Sequence, residues 1–130
     1  MNPFPGRKPR VLLLDDSATA RAVLSAALGR RGYEVITARD LADLDAALDR
    51  MLPDVVLLDV HLPEIVGTDL IPWLRDTKRL DRPILLCSTR TEEDLAQLAE
   101  ESGADGWVRK NSRPDELAAR VEHFLAGGEV

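Results

Sequence analysis

The residues of this chain best suited to act together stand at the ends of short apolar runs. Val11 to Leu14 leads into Asp15-Asp16, Val55 to Leu58 into Asp59, Ile84 to Cys87 into Ser88-Thr89, and Gly106-Trp107-Val108 into Arg109-Lys110. If those ends meet, three carboxylates, a hydroxyl and an ammonium converge. Two carboxylates about 4 Å apart repel by ~4 kcal/mol at an effective dielectric of 20, so three of them require a cation. Lys110 offsets only one. A hard divalent ion completes the balance, and Mg²⁺ favours one or two carboxylates together with waters and phosphate oxygens. A carboxylate beside such an ion is a route to an aspartyl phosphate. Phosphoryl transfer asks mainly for positioning and charge neutralisation, which a metal, a lysine and a hydroxyl supply.

For the ends to meet, the runs must be strands of one sheet. Val11 to Leu14, Val55 to Leu58 and Ile84 to Cys87 are continuously apolar, as strands covered on both faces are. Val35-Ile36-Thr37-Ala38 and Gly106-Trp107-Val108 are mixed and suit edges. Between them lie helical patterns. Val23, Leu24, Ala27 and Leu28 share a face before Gly29 and Gly32, which should stop that helix. Leu41, Leu44, Leu48 and Met51 follow Asp40, a candidate N-cap; Leu70, Ile71, Trp73 and Leu74 follow Gly67, with Pro72 early enough to be tolerated. Thr91-Glu92-Glu93-Asp94 resembles a capping box, and Pro114 suits the first residue of a last helix carrying Leu117, Val121, Phe124 and Leu125. This alternation predicts an α/β fold, a flavodoxin-like (βα)5 doubly wound parallel sheet with strand order 2-1-3-4-5 and its site at the carboxyl ends of the strands.

At 130 residues the chain is expected to hold one domain: an arm over 1–9, a folded unit over 10–126 and a tail over 127–130. The arm, with Arg7, Lys8 and Arg10, reads as loosely ordered. With 23 acidic and 17 basic side chains the net charge is -6, which disfavours direct nucleic-acid binding and favours protein partners. One cysteine, Cys87, cannot pair within the chain and reads as a small buried hydrophobe. No apolar run approaches the ~18 residues of a membrane span, so no membrane partner and a cytoplasmic location are expected.

The set Asp15-Asp16, Asp59 followed by Pro63 and Gly67, Ser88, Trp107 and Lys110 resembles the response-regulator receiver domain of two-component signalling, single-domain chemotaxis regulators included. The resemblance runs from about Arg10 to Ala126. It implies that Asp59 is the phosphoacceptor, Asp16 a direct Mg²⁺ ligand, Asp15 a helper through water or at longer range, and the backbone carbonyl of His61 a third protein ligand. Ser88 would bond the phosphoryl group and Lys110 one of its oxygens. Trp107 stands where the family carries an aromatic that changes rotamer. The resemblance also implies a histidine kinase or histidine phosphotransfer protein as donor and a downstream protein target. A homodimer would form through the fourth helix, fifth strand and fifth helix. Such a protein phosphorylates and dephosphorylates itself rather than turning over as a conventional enzyme.

Taken singly, these residues have plainer readings. Asp15-Asp16 would suit a helix N-terminus with Ser17 as a candidate cap, Asp59 a turn, Ser88 a strand-end hydroxyl bonding backbone, Lys110 an exposed surface and Trp107 an edge-strand aromatic packed on the last helix. The His61 and His123 rings read as solvent-exposed. It is the set in this order that points to chemistry. Two departures from the family pattern favour a different class, a phosphorylation-independent pseudo-receiver that only binds partners. Asn111-Ser112 follow Lys110 where proline and an aromatic are usual, and Thr89 follows Ser88 where alanine or glycine is usual. An aspartyl phosphatase is disfavoured, because its paired acids on the first strand are separated by one residue and here they are adjacent.

Overall fold

The computed structural model describes Phe4 and residues 6–129. Strands and helices alternate as β1 (Arg10–Leu14), α1 (Ala18–Arg30), β2 (Glu34–Ala38), α2 (Leu41–Arg50), β3 (Val55–Asp59), α3 (67–77), β4 (Ile84–Ser88), α4 (Glu92–Ser102), β5 (Gly106–Arg109) and α5 (Pro114–Leu125). The strands form one sheet in the order β2-β1-β3-β4-β5, every pair parallel, so the two mixed runs are the edges.

Period-two alternation divides the core between the faces. Leu12, Leu14, Val56, Leu58, Ile84 and Leu86 are sealed by Leu44 of α2, Leu74 of α3 and Leu95 of α4. Val11, Leu13, Val55, Leu57, Leu85 and Cys87 are sealed by Leu24 and Leu28 of α1 and by Leu117, Val121 and Phe124 of α5. Burial pushes the Cys87 thiol up to about 12, which keeps it protonated and inert. Edge strand β5 can lie under α5 because Gly106 has no side chain, as a Cβ there would run into the Phe124 ring.

The caps follow the sequence. Ser17 Oγ accepts from the Ala20 amide, Asp40 Oδ1 from that of Asp43 and Thr91 Oγ1 from that of Asp94, and Pro114 opens α5. Three expectations are corrected. Gly29 does not stop α1, which continues to Arg30; the stop is Gly32, whose φ of 84° suits a residue without a side chain. The third helix is not uniform but runs from a 3-10 turn at Gly67–Asp69 through one α turn at Leu70–Pro72 to a π turn at Trp73–Thr77. Pro72 lacks an amide hydrogen inside the segment, and the winding adjusts around it.

The third correction concerns the arm. Met1 to Pro3 and Pro5 lie outside the described residues, as does Val130. The rest of the arm is tied down. Arg7 donates from Nη1 and Nη2 to Asp54 Oδ2 and Oδ1 at 2.7 and 2.8 Å, and the Arg10 amide adds a bond to Oδ2 at 2.7 Å. Phe4 lies under the Arg7 guanidinium, and the Pro9 carbonyl accepts from the Glu34 amide. Asp54 is buried, a charge that is tolerated only when paired. Burial alone pushes its carboxyl up, but the Arg7 bonds, the Arg10 amide and the guanidinium charge outweigh it and hold the carboxyl below its ordinary value. A lowered value stabilises the fold above the ordinary 3.8, and that stability is lost as the pH falls through the native value. Asp54→Asn is therefore expected to melt below the parent at neutral pH, with the gap narrowing below pH 3.8. Thermal melts across pH check this, and a gap that stays constant contradicts it.

Candidate functional site

Asp15 directly follows β1 and Asp59 ends β3, on neighbouring strands whose rungs pair Leu14 with Leu58. Ser88 ends β4 opposite Arg109 of β5, and the Lys110 amide donates to the Ser88 carbonyl at 2.9 Å, which turns the lysine back across the sheet's end. The loop after β3 folds over Asp59. The Gly67 amide donates to the Val60 carbonyl at 2.9 Å, and a Cβ on Gly67 would collide with the Asp59 carbonyl oxygen. Glycine at 67 is thus a requirement of this approach.

The expected acids do converge. One oxygen each of Asp15, Asp16 and Asp59 lie within 4.8 Å of one another. At that separation each like-charge pair repels by about 3 kcal/mol at an effective dielectric of 20. Asp15 and Asp59 are buried and Asp16 is exposed. Lys110, expected to offset only one of the three charges, shares its single ammonium between two of them. Its Nζ lies 2.7 Å from Asp15 Oδ2 and 3.2 Å from Asp59 Oδ2.

Asp15 is hydrogen-bonded at every polar atom but Oδ2, which meets only the charge of Lys110. Its amide donates to the Ala38 carbonyl at 3.0 Å, Oδ1 accepts from the Ser17 amide at 2.9 Å, Oδ2 faces Lys110, and its carbonyl accepts from Arg21 Nη1 at 2.7 Å. No described residue hydrogen-bonds the Asp16 carboxylate. Asp59 Oδ1 accepts from the His61 amide at 3.1 Å, an interaction local to the turn. Asp16 and Asp59 therefore offer oxygen to an added cation more freely than Asp15 does. An all-oxygen donor set beside a half-neutralised buried acid fits a hard ion such as Mg²⁺.

The charges are poised accordingly. Burial pushes the Asp59 carboxyl up, the His61 amide draws it down, Asp15 pushes it up again, and Lys110 only partly offsets this, leaving it above the ordinary aspartate value. Burial works against the Lys110 ammonium, but its bond to Asp15 and the charges of Asp15 and Asp59 prevail, and its pKa lies above that of ordinary lysine.

Over the pocket, Arg90 Nε donates to His61 Nε2 at 3.1 Å, the Arg90 amide donates to Ser88 Oγ at 3.1 Å, and Arg109 Nε donates to the Arg90 carbonyl at 2.9 Å. Thr89 is exposed beside them. Trp107 is half-buried on the α4 face of the sheet, while Arg120 of α5 stacks on its ring at 4.8 Å and bonds its carbonyl at 3.0 Å. Sequence reasoning missed Arg21, which nothing in its spacing distinguishes from a surface cation, and gave no role to Arg109, although it placed it at a strand end beside Lys110.

A sequence model described as the response regulator receiver domain matches residues 11–122. The chain belongs to that family. This receiver is 36% identical over 121 residues to the Bacillus subtilis alkaline phosphatase synthesis transcriptional regulatory protein PhoP, covering 93% of this chain and 50% of that one. It is 35% identical over 116 residues to the Pseudomonas aeruginosa phosphate regulon transcriptional regulatory protein PhoB, covering 88% and 51%. The receiver thus spans about half the length of these relatives. The structure of the Vibrio cholerae chemotaxis response regulator CheY4 superposes with a TM-score of 0.80 at 30% identity, covering 90% of this chain and 98% of that one. Among the described residues, no helix is long and apolar enough to cross a membrane.

A raised carboxyl has a consequence for stability. Ionising Asp59 disfavours the receiver's native state, so its contribution is most favourable below the ordinary 3.8 and falls as the pH rises through the higher native value. In the absence of divalent metal, Asp59→Asn is expected to melt above the parent at neutral pH, the difference shrinking as the pH approaches 3.8. Calorimetric melts check it, and a variant less stable than the parent at neutral pH contradicts it.

Proposed function

We propose that this receiver takes a phosphoryl group on Asp59 from the phosphohistidine of a histidine kinase or histidine phosphotransfer protein, with Mg²⁺, and signals through protein contacts. The observation that carries the reading is the buried Asp59 carboxylate, held beside Asp15 and Asp16 and sharing one ammonium. Such a group gains from an incoming cation and phosphoryl group what the protein alone withholds. When bound, Mg²⁺ would screen the carboxylates and the phosphoryl oxygens from each other. Asp16, Asp59 and the His61 carbonyl would hold it, with Asp15 acting through water.

In the transfer, an Asp59 oxygen forms a bond to phosphorus as the phosphorus–nitrogen bond of the donor breaks. The imidazole nitrogen leaves with the electron pair and takes up a proton. Lys110 would exchange its bond to Asp59 for one to a phosphoryl oxygen, and the Ser88 hydroxyl would donate to another. Hydrolysis reverses the charge: an in-line water bonds phosphorus as the Asp59 oxygen–phosphorus bond breaks, releasing inorganic phosphate. Side chains overhanging that line, His61, Thr89 and Arg90, would set the lifetime.

The surfaces support partners of distinct kinds. α1 starts at the acid cluster and exposes Ala18, Ala22, Val23 and Ala26, with Val23 53% exposed, an apolar face suited to the donor protein. Elsewhere, α4 exposes Glu92, Glu93, Asp94, Glu100 and Glu101, while α5 and the turn before it expose Arg113 together with the acids Asp115 and Glu116, Arg109 and Arg120 being half-buried. Charges of both signs on neighbouring elements suit a two-fold homodimer or a protein target at this face. With 10–126 as the receiver unit, we expect a cytoplasmic protein that makes no direct nucleic-acid contact through this domain.

The second reading, a phosphorylation-independent interaction module, draws on Thr89, Asn111 and Ser112. Lys110 keeps its place without the usual proline through its amide bond to Ser88, which favours the first. The test is incubation with Mg²⁺ and a small acyl phosphate or phosphoramidate, followed by intact mass. The parent is expected to gain one phosphoryl group, Asp59→Asn none, and chelated parent none. Asp16→Ala is expected to weaken Mg²⁺ binding more than Asp15→Ala, and equal losses would contradict the ligand assignment. An unlabelled parent would favour the interaction module. In sedimentation, phosphorylated parent is expected to associate more strongly at low salt than at high salt, and no association at either would remove the dimer.

A further inference from the structure

The reading above, on which this inference rests, gives Arg109, one residue before Lys110, no part in the chemistry. Its side chain is the last link of a chain of bonds that crosses the pocket's mouth from strand end to strand end. From β5, Arg109 Nε donates to the Arg90 carbonyl at 2.9 Å. The Arg90 amide donates to Ser88 Oγ at 3.1 Å, and the Arg90 side chain donates from Nε to His61 Nε2 at 3.1 Å in the loop after β3. The His61 amide in turn donates to Asp59 Oδ1 at 3.1 Å. Arg90 stands between Ser88, which ends β4, and Thr91, the N-cap of α4. Its carbonyl lies outside the helix, and the Arg109 guanidinium is the partner that holds it.

We infer that Arg109 is a positioning residue for the pocket's mouth, fixing the Arg90 peptide so that Arg90 and His61 stay joined over Asp59 and the Ser88 hydroxyl stays turned toward the Arg90 amide. Among the described residues, Arg109 makes no hydrogen bond or ion pair with the three acids. It acts through Arg90. The guanidinium suits this use, because a planar donor on a half-buried stem keeps its charge and direction at the rim of a site rich in acids. The β4–β5 ladder supplies the rigidity, since Ser88 and Arg109 are paired across it and the Lys110 amide bonds the Ser88 carbonyl. Releasing the Arg90 carbonyl frees the loop before α4, opens the His61–Arg90 bridge, and admits water to the line behind the phosphorus.

The test compares the parent with Arg109→Ala, Arg90→Ala, the double variant and Arg109→Lys, each labelled by a small acyl phosphate with Mg²⁺. The decay of the phosphorylated mass is followed after the donor is removed. Loss of one ordinary hydrogen bond predicts decay about five-fold faster for Arg109→Ala. Arg90→Ala is expected to decay at least as fast, the double variant no faster than Arg90→Ala, and Arg109→Lys between parent and alanine. Parent-like decay in Arg109→Ala, or accelerations that multiply in the double variant, would overturn the inference. Amide hydrogen exchange, which needs no phosphorylation, gives an independent reading: Arg109→Ala should speed exchange at Arg90 with the melting temperature unchanged. Exchange unchanged at Arg90 overturns the inference even if labelling proceeds. Failure of the parent to label, with exchange at Arg90 accelerated as expected, counts against the phosphoacceptor reading and leaves the positioning role standing.

Discussion

One ammonium is shared by two buried carboxylates, and the architecture around it follows from delivering and holding that single charge. Asp15 and Asp59 sit on adjacent strands and repel, so neither could be buried without Lys110 at 2.7 and 3.2 Å. The lysine comes from just beyond the edge strand β5, two strands away from β3 and three from β1. It reaches the acids because β5 lies close beneath α5, where only a glycine fits under Phe124, and because its amide is fastened to Ser88. Apolar packing on both faces of the sheet buries the site's floor, which raises the cost of unbalanced charge and thereby the gain from balancing it.

The same imbalance separates the roles of three residues with the same side chain. Asp15 is held at its amide, its carbonyl and both carboxylate oxygens, so it serves as a fixed negative wall. Asp16, one residue later, is exposed and unengaged among the described residues. Asp59 is buried, with its carboxyl pushed up and only a turn amide and the shared lysine for support. Position along the chain, through burial and hydrogen bonding, gives one side-chain type three environments: a fixed buried carboxylate, an exposed unengaged one and a buried one whose carboxyl is pushed up. Gly67 contributes by letting the loop after β3 press on Asp59 from above.

The strand ends and the convergence of Asp15, Asp16, Asp59, Ser88 and Lys110 were legible because continuous apolar runs define parallel strands and such sheets place chemistry at one edge. Ser17, Asp40 and Thr91 were legible as caps, and Pro114 as the first residue of the last helix, because such signals are local. What escaped was non-local. Arg7 and Asp54 are 47 residues apart, and nothing near either announces the pair that ties down the arm. Arg21 and Arg109 are two among many arginines, distinguished only by the carbonyls they meet. Lys110 was legible as a cation at the site, but its division between two acids depends on distances that spacing does not contain. The changing pitch of α3 came from a proline whose tolerance was foreseen and whose effect on winding was not.

The measurement that bears most directly on this account is a carbon-13 titration of the Asp59 carboxyl by NMR, with and without Mg²⁺. Metal-free Asp59 is expected to titrate above 3.8, and Mg²⁺ to move it downward. An Asp59 that titrates at or below 3.8 without metal, or that Mg²⁺ leaves unmoved, would contradict it.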